Sequence, residues 1–344
     1  MSEHTPIGLG NGTAPVRALT HSGNFHLDET LGYVILHYAL APRGDLRGRV
    51  LGTAPADRLA FVRSRNPEQI KAADIVFDVG GTYAPADGRY DHHMKDKPLR
   101  EDGQPYSAAG LLWKDYGIAA LGNILKVPVD ADTLAAIWQS LDKSLVLPID
   151  LDDNGVAKMG KLSLSDIVSA CGPAWDTAEL YGAEEAKLRE TLGFANAASA
   201  VAAHLLNMAD RVRASFKAAN RVLEAYEKAE DKRILLMETG MPTEKVIFEH
   251  DLPVVYVVSP AAPGRWNVKA VPPTRGDFGQ RVSLPEAWRG LDGEALAAVS
   301  GVADAVFAHP ARFICGAGSR EGALQMARLA LEIDAAEKAA KAQS

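Results

Sequence analysis

Residues 16–40 read VRALTHSGNFHLDETLGYVILHYAL. The first five, Val16 to Thr20, are a short apolar run that predicts a strand. His21 to Phe25 (HSGNF) make a turn. From Asp28 to Leu40 the apolar residues Leu31, Val34, Ile35 and Tyr38 recur at helical spacing. The order is therefore strand, histidine-bearing turn, helix. Strands alternating with helices indicate an α/β layer fold.

The alternation continues downstream. LAFVRS (59–64) reads as a strand. NPEQIKAA follows, with Asn66 as a cap and Pro67 at the first helical position. ADIVFDVGG (73–81) reads as a buried strand suited to a parallel sheet, ending in Asp78 and a glycine pair. Residues 106–121 and 131–147 are expected to be helical, and an Ala-rich helical stretch covers roughly 178–230. From Arg233 the runs RILLME, PVVYVVS and WNVKAVP are β-rich and separated by Pro and Gly. A final helix trails into a charged, Ala-rich tail. The expected organisation is a catalytic domain over 1–180, a helical connector over 181–230 and a second domain over 231–344.

A chain of 344 residues is long for one core and comfortable for two domains. Hydrophobic residues make up 47% and charged residues 24%, as in a soluble globular protein. Two cysteines, Cys171 and Cys315, exclude a disulfide framework and a thiolate-rich zinc site. Both are expected to be buried small apolar residues. The start, MSEHTPIGLGNGTAPV, lacks the basic segment and apolar run of a signal peptide. No stretch approaches the roughly 18 apolar residues of a membrane span. A cytoplasmic protein without membrane contact is expected, and the sequence is compatible with a monomer or an oligomer. The net charge of −7 argues against a broad nucleic-acid-coating surface. It leaves room for a polyanion held at a metal cluster, because bound cations reverse the local field.

Four segments carry the chemistry. His21, His26, Asp28 and Glu29 lie in the first turn and at the helix start. Asp78 ends an apolar strand, where ligands bind in open parallel sheets. Asp91-His92-His93 stands in the charged stretch RYDHHMKDKP (89–98). Asp150, Asp152 and Asp153 stand in LPIDLDDNG, read as the turn after a helix. His37, inside the helix, is assigned to the core or surface. Each feature has a plain explanation: capping for Asp28, a glycine turn for Asp78, a solvated turn for the late aspartates. Together they point to a shared metal centre. Mixed imidazole and carboxylate ligands suit Mn²⁺, Mg²⁺ or Co²⁺, with Zn²⁺ as an alternative. There are enough ligands for two ions about 3.5–4 Å apart, bridged by one carboxylate.

This pattern resembles the DHH phosphoesterase superfamily, and within it the Myg (melanocyte-proliferating-gene) exonuclease family. The matching stretches are THSGNFHLDE, RNPEQIKAADIVFDVGGTY, RYDHHM, YSAAGLLW, IDLDDNG, NVKAVP, LPEAWRGL and SREGALQMA, spread over roughly 17–331. The resemblance implies a DHH-type parallel-sheet domain with flanking helices and a smaller α+β substrate domain. It implies His21, His26, Asp28, Asp78, His92 and Asp153 as metal ligands, with Asp78 bridging and Asp150 second choice to Asp153. His93 would contact substrate phosphate or a carboxylate behind the ligands, and Asp91 would orient both histidines. Asp28, Asp78, His92 and His93 form the implied catalytic set. FICGAGSREG (313–322) stands where the substrate domain has a glycine-rich loop. Gly316 and Gly318 would bring amides to a phosphate, with Ser319, Arg320, His309 and Lys269 as further contacts. Ser319 also reads as a helix cap. Met94 stands where relatives often have glutamine.

The implied reaction is 3′→5′ hydrolysis of RNA or a short oligonucleotide to nucleotides, using two divalent ions, Mn²⁺ first. One rival is a nucleotide phosphatase or pyrophosphatase on the same centre, which the acidic charge and the aromatic content of only 7% favour. The other is a non-catalytic metal-dependent binding protein.

Overall fold

A computed structural model describes residues 5–9, 14–54 and 57–342. The signal-peptide reading falls partly on residues 1–4 and 10–13, outside the described residues. The chain divides into two compact units, with the division between Arg213 and Ala214.

The first unit begins with β1 (Val16–Thr20), α1 (Leu27–Leu40), α2 (Leu46–Leu51), β2 (Leu59–Arg63), α3 (Pro67–Ala72), β3 (Ile75–Phe77), β4 (Tyr83–Ala84) and β5 (Arg89–Tyr90). Its helical half comprises α4 (Ala108–Ile124), α5 (Ala131–Leu141), α6 (Leu147–Asp153), α7 (Leu164–Ser169), α8 (Thr177–Tyr181) and α9 (Ala183–Lys228), the last running past the division. The sheet order is β2-β1-β3-β5-β4. β1, β2, β3 and β5 are parallel, and β4 is antiparallel to β5. Three parallel strands thus end side by side at Thr20, Phe77 and Tyr90. The next residues in the chain are His21, Asp78 and Asp91, so the topology alone gathers the histidine- and aspartate-bearing turns at one sheet end.

α1 packs on α4 and is buried along almost its whole length. Leu31, Tyr33, Val34, Ile35 and Leu36 are all at 0% exposure, the behaviour of a helix apolar on every side. Gly32 lets the elements approach closely: a Cβ there would lie 3.0 Å from Leu112 and 3.1 Å from Phe77. Truncating one of these side chains, as in Ile35→Ala, costs about 2–5 kcal/mol in a well-packed core. Such a core holds the amino end of α1, with Asp28 and Glu29, rigidly over the strand ends.

Two expectations are corrected. Asp150, Asp152 and Asp153 are not in a turn after a helix; they lie in α6. The helix expected over 131–147 does not end there: residues Asp142–Val146 form a π-helical segment between α5 and α6, in which the Leu147 N–H reaches back to the Asp142 carbonyl. The widened turn absorbs Pro148, and the helix runs on to Asn154-Gly155. The Ala-rich stretch is also interrupted, because Gly182 at φ 88° separates α8 from α9.

The second unit contains β6 (Ile234–Leu236), α10 (Glu244–Glu249), β7 (Tyr256–Ala262), β8 (Arg265–Ala270), α11 (Gly293–Ser300), β9 (Ala305–Ala308), β10 (Ile314–Ala317) and α12 (Arg320–Ala342). Its sheet order is β6-β7-β8-β10-β9, with β6 and β7 parallel and the rest antiparallel. α12 lays Ala323, Met326, Ala327, Ala330 and Leu331 into the core, one helical stripe. Phe313–Gly322 is not an open glycine-rich loop. Ile314–Ala317 is an inner strand between β8 and β9. Gly316 is there for close packing, since a Cβ would lie 2.7 Å from the Phe307 ring.

Cys315 is buried in this second core, and burial pushes its thiol up to about 12. Cys171 is only half-buried, unlike the expectation. No helix among the described residues is long and apolar enough to cross a membrane.

Candidate metal centre

His21, the first residue after β1, is buried. Its Nε2 lies 3.1 Å from Asp78 Oδ2 and 3.1 Å from Glu29 Oε1. Asp78 turns the chain out of β3 at φ 56°, the left-handed region, and Gly80 and Gly81 follow at φ 103° and 66°. Aspartate tolerates that backbone better than most residues with a side chain. The turn aims the two Asp78 oxygens to opposite sides. Oδ2 faces His21, while Oδ1 lies 3.3 Å from His92 Nε2 and 3.5 Å from His93 Nδ1. His92 Nε2 in turn lies 3.2 Å from Asp153 Oδ2 and 3.8 Å from Asp28 Oδ2.

Asp91 organises this turn. Its Oδ1 accepts from the His92 amide (2.7 Å), the His93 amide (3.2 Å) and His93 Nδ1 (2.9 Å). Its Oδ2 accepts from the Gly81 amide. His26 is the exposed cap of α1, and its amide donates to Glu29 Oε1 at 2.9 Å. Three groups of ligand atoms lie within 4.8 Å of one another: His21, His26 and Glu29; Asp28, His92 and Asp153; and Asp78, Asp91, His92 and His93.

Asp28 is held by the amino end of α4. Its Oδ1 accepts from Ser107 Oγ (2.6 Å) and the Ala109 amide (2.6 Å), and its Oδ2 from the Ala108 amide (3.2 Å). A helix amino terminus favours a carboxylate there. Asp150 is turned to other work. The Ser107 amide donates to its Oδ1, which shares the single Ser107 hydroxyl proton with Asp28, and Arg100 donates to its Oδ2 through Nε (2.8 Å) and Nη2 (2.6 Å). Arg100 also grips Asp142 in the π-helical segment. Of the two late aspartates, Asp153 is the one that meets His92.

The turn between His21 and His26 is clamped from behind. Arg63, at the end of β2, pairs with Glu190 of α9 at 2.8 Å and donates to the Gly23 carbonyl at 2.7 Å. The Gly23 amide donates to the same Glu190 oxygen at 2.9 Å, and the Phe194 ring lies 4.5 Å from the Arg63 guanidinium carbon. Sequence reasoning missed Ser107, Arg100, Arg63 and Glu190. Their signal is long-range contact, and only the Ser107 stretch fell within a matching motif.

Burial opposes charge on His21, but hydrogen bonds to Asp78 and Glu29 outweigh it and raise its pKa to about 9. Burial likewise opposes charge on Asp78, and His21 and His92 pull it down to about 2. Burial, with the nearby Asp153 and Asp78 charges, raises Asp28 well above the usual carboxylate range. Burial also raises Asp153.

A divalent cation fits this donor set. Both ring nitrogens of His92 and Oε2 of Glu29 are buried without a hydrogen-bond partner. Nε2 of His92 has three carboxylate oxygens within 3.8 Å but hydrogen-bond geometry to none. Lone pairs converging on a common space are what a cation resolves and a proton does not. Oxygen and imidazole donors without thiolate suit Mn²⁺, Mg²⁺, Co²⁺ or Zn²⁺. The cluster opens on a polar cavity of about 1140 Å³, lined among others by His26, Asp28, Asp78, His93 and Asp153.

The remaining predicted residues lie elsewhere. His37 is buried and accepts from Arg49 at 2.8 Å; burial and that cation lower its pKa to about 4. In the second unit, the Gly318 amide is spent on the Asp304 carbonyl, and Ser319 Oγ caps α12 by accepting from the Gly322 amide. Arg320 pairs with Glu238 at 3.0 Å. His309 Nδ1 accepts from the Ala311 amide, and Lys269 stands on β8 opposite Ile314.

Fold and site together define a mixed α/β protein with a carboxylate–imidazole cluster able to hold divalent metal. The chain belongs to the MYG1 exonuclease family, described as an uncharacterised protein family (UPF0160), whose profile matches residues 17–331. It is 30% identical over 347 residues to the MYG1 exonuclease of Bos taurus, covering 92% of this chain and 85% of that protein. It is 30% identical over 348 residues to the MYG1 exonuclease of Homo sapiens, covering 92% and 86%. A MYG1 protein of Schizosaccharomyces pombe is 30% identical over 340 residues, covering 92% and 98%. No solved structure matches the chain.

Proposed function

We propose that this protein is a nuclease of DHH type, a divalent-metal-dependent phosphodiesterase that removes nucleotides from the 3′ end of RNA. One observation carries the reading. Asp78 presents one oxygen to His21 and the other to His92, so two ligand nests share one carboxylate. That is the arrangement a two-metal phosphoryl-transfer site needs. The name of the mammalian relatives, MYG1 exonuclease, agrees with hydrolysis from a chain end.

His21, His26 and Glu29 would hold one ion, Asp28, His92 and Asp153 the other, with Asp78 shared. When bound, such ions, Mn²⁺ first and Mg²⁺ or Co²⁺ as substitutes, polarise the phosphate and make water a stronger nucleophile near neutral pH. The residues of the chain do the rest. Asp91 fixes the rings of His92 and His93. His93, 60% exposed at the cavity, donates to a non-bridging phosphate oxygen. The Ser107–Ala109 amide turn holds Asp28 in one orientation, so no reorganisation is needed as charge develops. Lys269, His309 and Arg320, in residues 231–344, are the further nucleotide contacts that the family resemblance suggests.

The test is a time course on an end-labelled single-stranded RNA with Mn²⁺, beside Asp28→Ala. The expected result is a ladder shortening from the 3′ end, absent in the variant. Equal turnover by both proteins overturns the site. A second reading, hydrolysis of a nucleotide or pyrophosphate, is favoured by the net charge of −7. Turnover of pyrophosphate with an intact RNA band would select it.

A further inference from the structure

The cavity wall holds two cationic side chains outside the ligand cluster, Arg65 and Lys158. Five carboxylates line the same cavity: Asp28, Asp78, Asp91, Asp152 and Asp153. A substrate phosphate entering it must be compensated by cations, and bound metals serve only the phosphate they touch. Arg65 and Lys158 therefore address something the metal nests do not.

Their positions differ. A line of close contacts runs from His21 through Asp78 and His92 to Asp153. Arg65 stands at the His21 end, where its Nε donates to the Ser22 carbonyl at 3.1 Å. Lys158 stands at the Asp153 end, next to Met159, whose amide donates to Asp152. Arg65 comes from the segment after β2, and Lys158 from the segment after α6. Lys158 is exposed and has no hydrogen bond or ion pair among the described residues, so its ammonium is free for a ligand.

We infer that Lys158 is a subsite for the phosphodiester that precedes the scissile one, with Arg65 at the other end of the cluster beside the nucleotide being released, so that the site is built for a substrate with several consecutive phosphodiesters. This rests on the phosphodiesterase reading and deepens it: the preferred substrate is an oligonucleotide, not a single phosphoester.

The test measures binding and turnover separately on the full chain with Mn²⁺. Binding uses a fluorescent RNA pentamer with hydrolysis-resistant phosphorothioate linkages, read by anisotropy at several salt concentrations. Turnover compares an ordinary RNA pentamer with bis(p-nitrophenyl) phosphate, which carries one phosphodiester. Lys158→Ala is expected to weaken pentamer binding about fivefold to tenfold and to flatten the salt dependence by about 0.7 in log–log slope, the loss of one phosphate contact. The ratio of kcat/KM on the pentamer to that on the small diester falls with it, and Lys158→Arg restores both. Arg65→Lys, which keeps the charge, falls less than Arg65→Gln. Unchanged binding in Lys158→Ala overturns the inference, as does equal loss on both substrates, or no pentamer binding by the parent protein. Lys158-dependent binding without hydrolysis of either ester leaves the subsites standing and defeats the phosphodiesterase reading instead.

Discussion

Replacing Arg100 by leucine tests how the fold carries a buried carboxylate next to the candidate metal centre. Arg100 is 10% exposed and Asp150 is at 0%. Burial raises Asp150 from its usual 3.8 to about 6, against the pull of Arg100 and Ser107. A raised carboxyl pKa means that the folded state keeps a proton the unfolded state has lost. Stability in this group therefore falls as pH rises from 3.8 towards 6, by about 3 kcal/mol in all. Without Arg100 the folded pKa climbs further, and the loss extends to higher pH. Breaking a buried pair by removing one partner costs about 3–5 kcal/mol, and that is the expected loss at pH 7. The difference between parent and variant should grow by about 1.4 kcal/mol per pH unit from pH 6 to 8. Below pH 6 it should be flat, because both folded forms hold the proton. Urea unfolding in chelator at pH 5, 6, 7 and 8, followed by the near-ultraviolet signal of the stacked Trp113–Trp138 pair, measures this. A loss under about 1 kcal/mol, or the same loss at pH 5 and pH 8, would refute the reasoning.

Two further outcomes follow from the same geometry. His21, held protonated up to about pH 9, stabilises the metal-free fold below pH 6.5, an effect lost as pH rises through 9. A metal must displace that proton, so Mn²⁺ affinity by calorimetry should rise about tenfold per pH unit below 9, with proton release; an affinity flat from pH 7 to 8.5 would contradict it. Arg63→Lys cannot grip Glu190 and the Gly23 carbonyl together, so Mn²⁺ affinity should fall about 10- to 100-fold while the circular dichroism stays that of the parent; an unchanged Kd would show that the clamp does not position His21 and His26.

The site was more legible than its supports. His21, Asp28, Asp78 and His92 each follow a strand or open a helix, and strand ends are where a parallel sheet collects ligands, so local pattern sufficed. Local pattern alone does not separate Asp150 from Asp153, because a three-residue difference on a helix decides which side faces the cluster; the resemblance is what ranks Asp153 first. Ser107, Arg100, Arg63 and Glu190 act across separations of 40 to 167 residues, which no local period records. In the second unit, the glycines of Phe313–Gly322 suggested a phosphate loop, whereas Gly316 answers to a phenylalanine on the neighbouring strand. A glycine in sequence states a need for closeness without naming the neighbour.

Asp78 shows how narrowly one position can be bounded in sequence space. Its left-handed backbone admits glycine, asparagine and aspartate with little strain, and the ligand role proposed for it demands a carboxylate. Glutamate satisfies the charge and offends the backbone; asparagine satisfies the backbone and lacks the charge. Only aspartate meets both demands, so no single substitution leads out of this position with both preserved. Asparagine, by the same logic, is the replacement that silences the site while leaving the architecture to be studied intact.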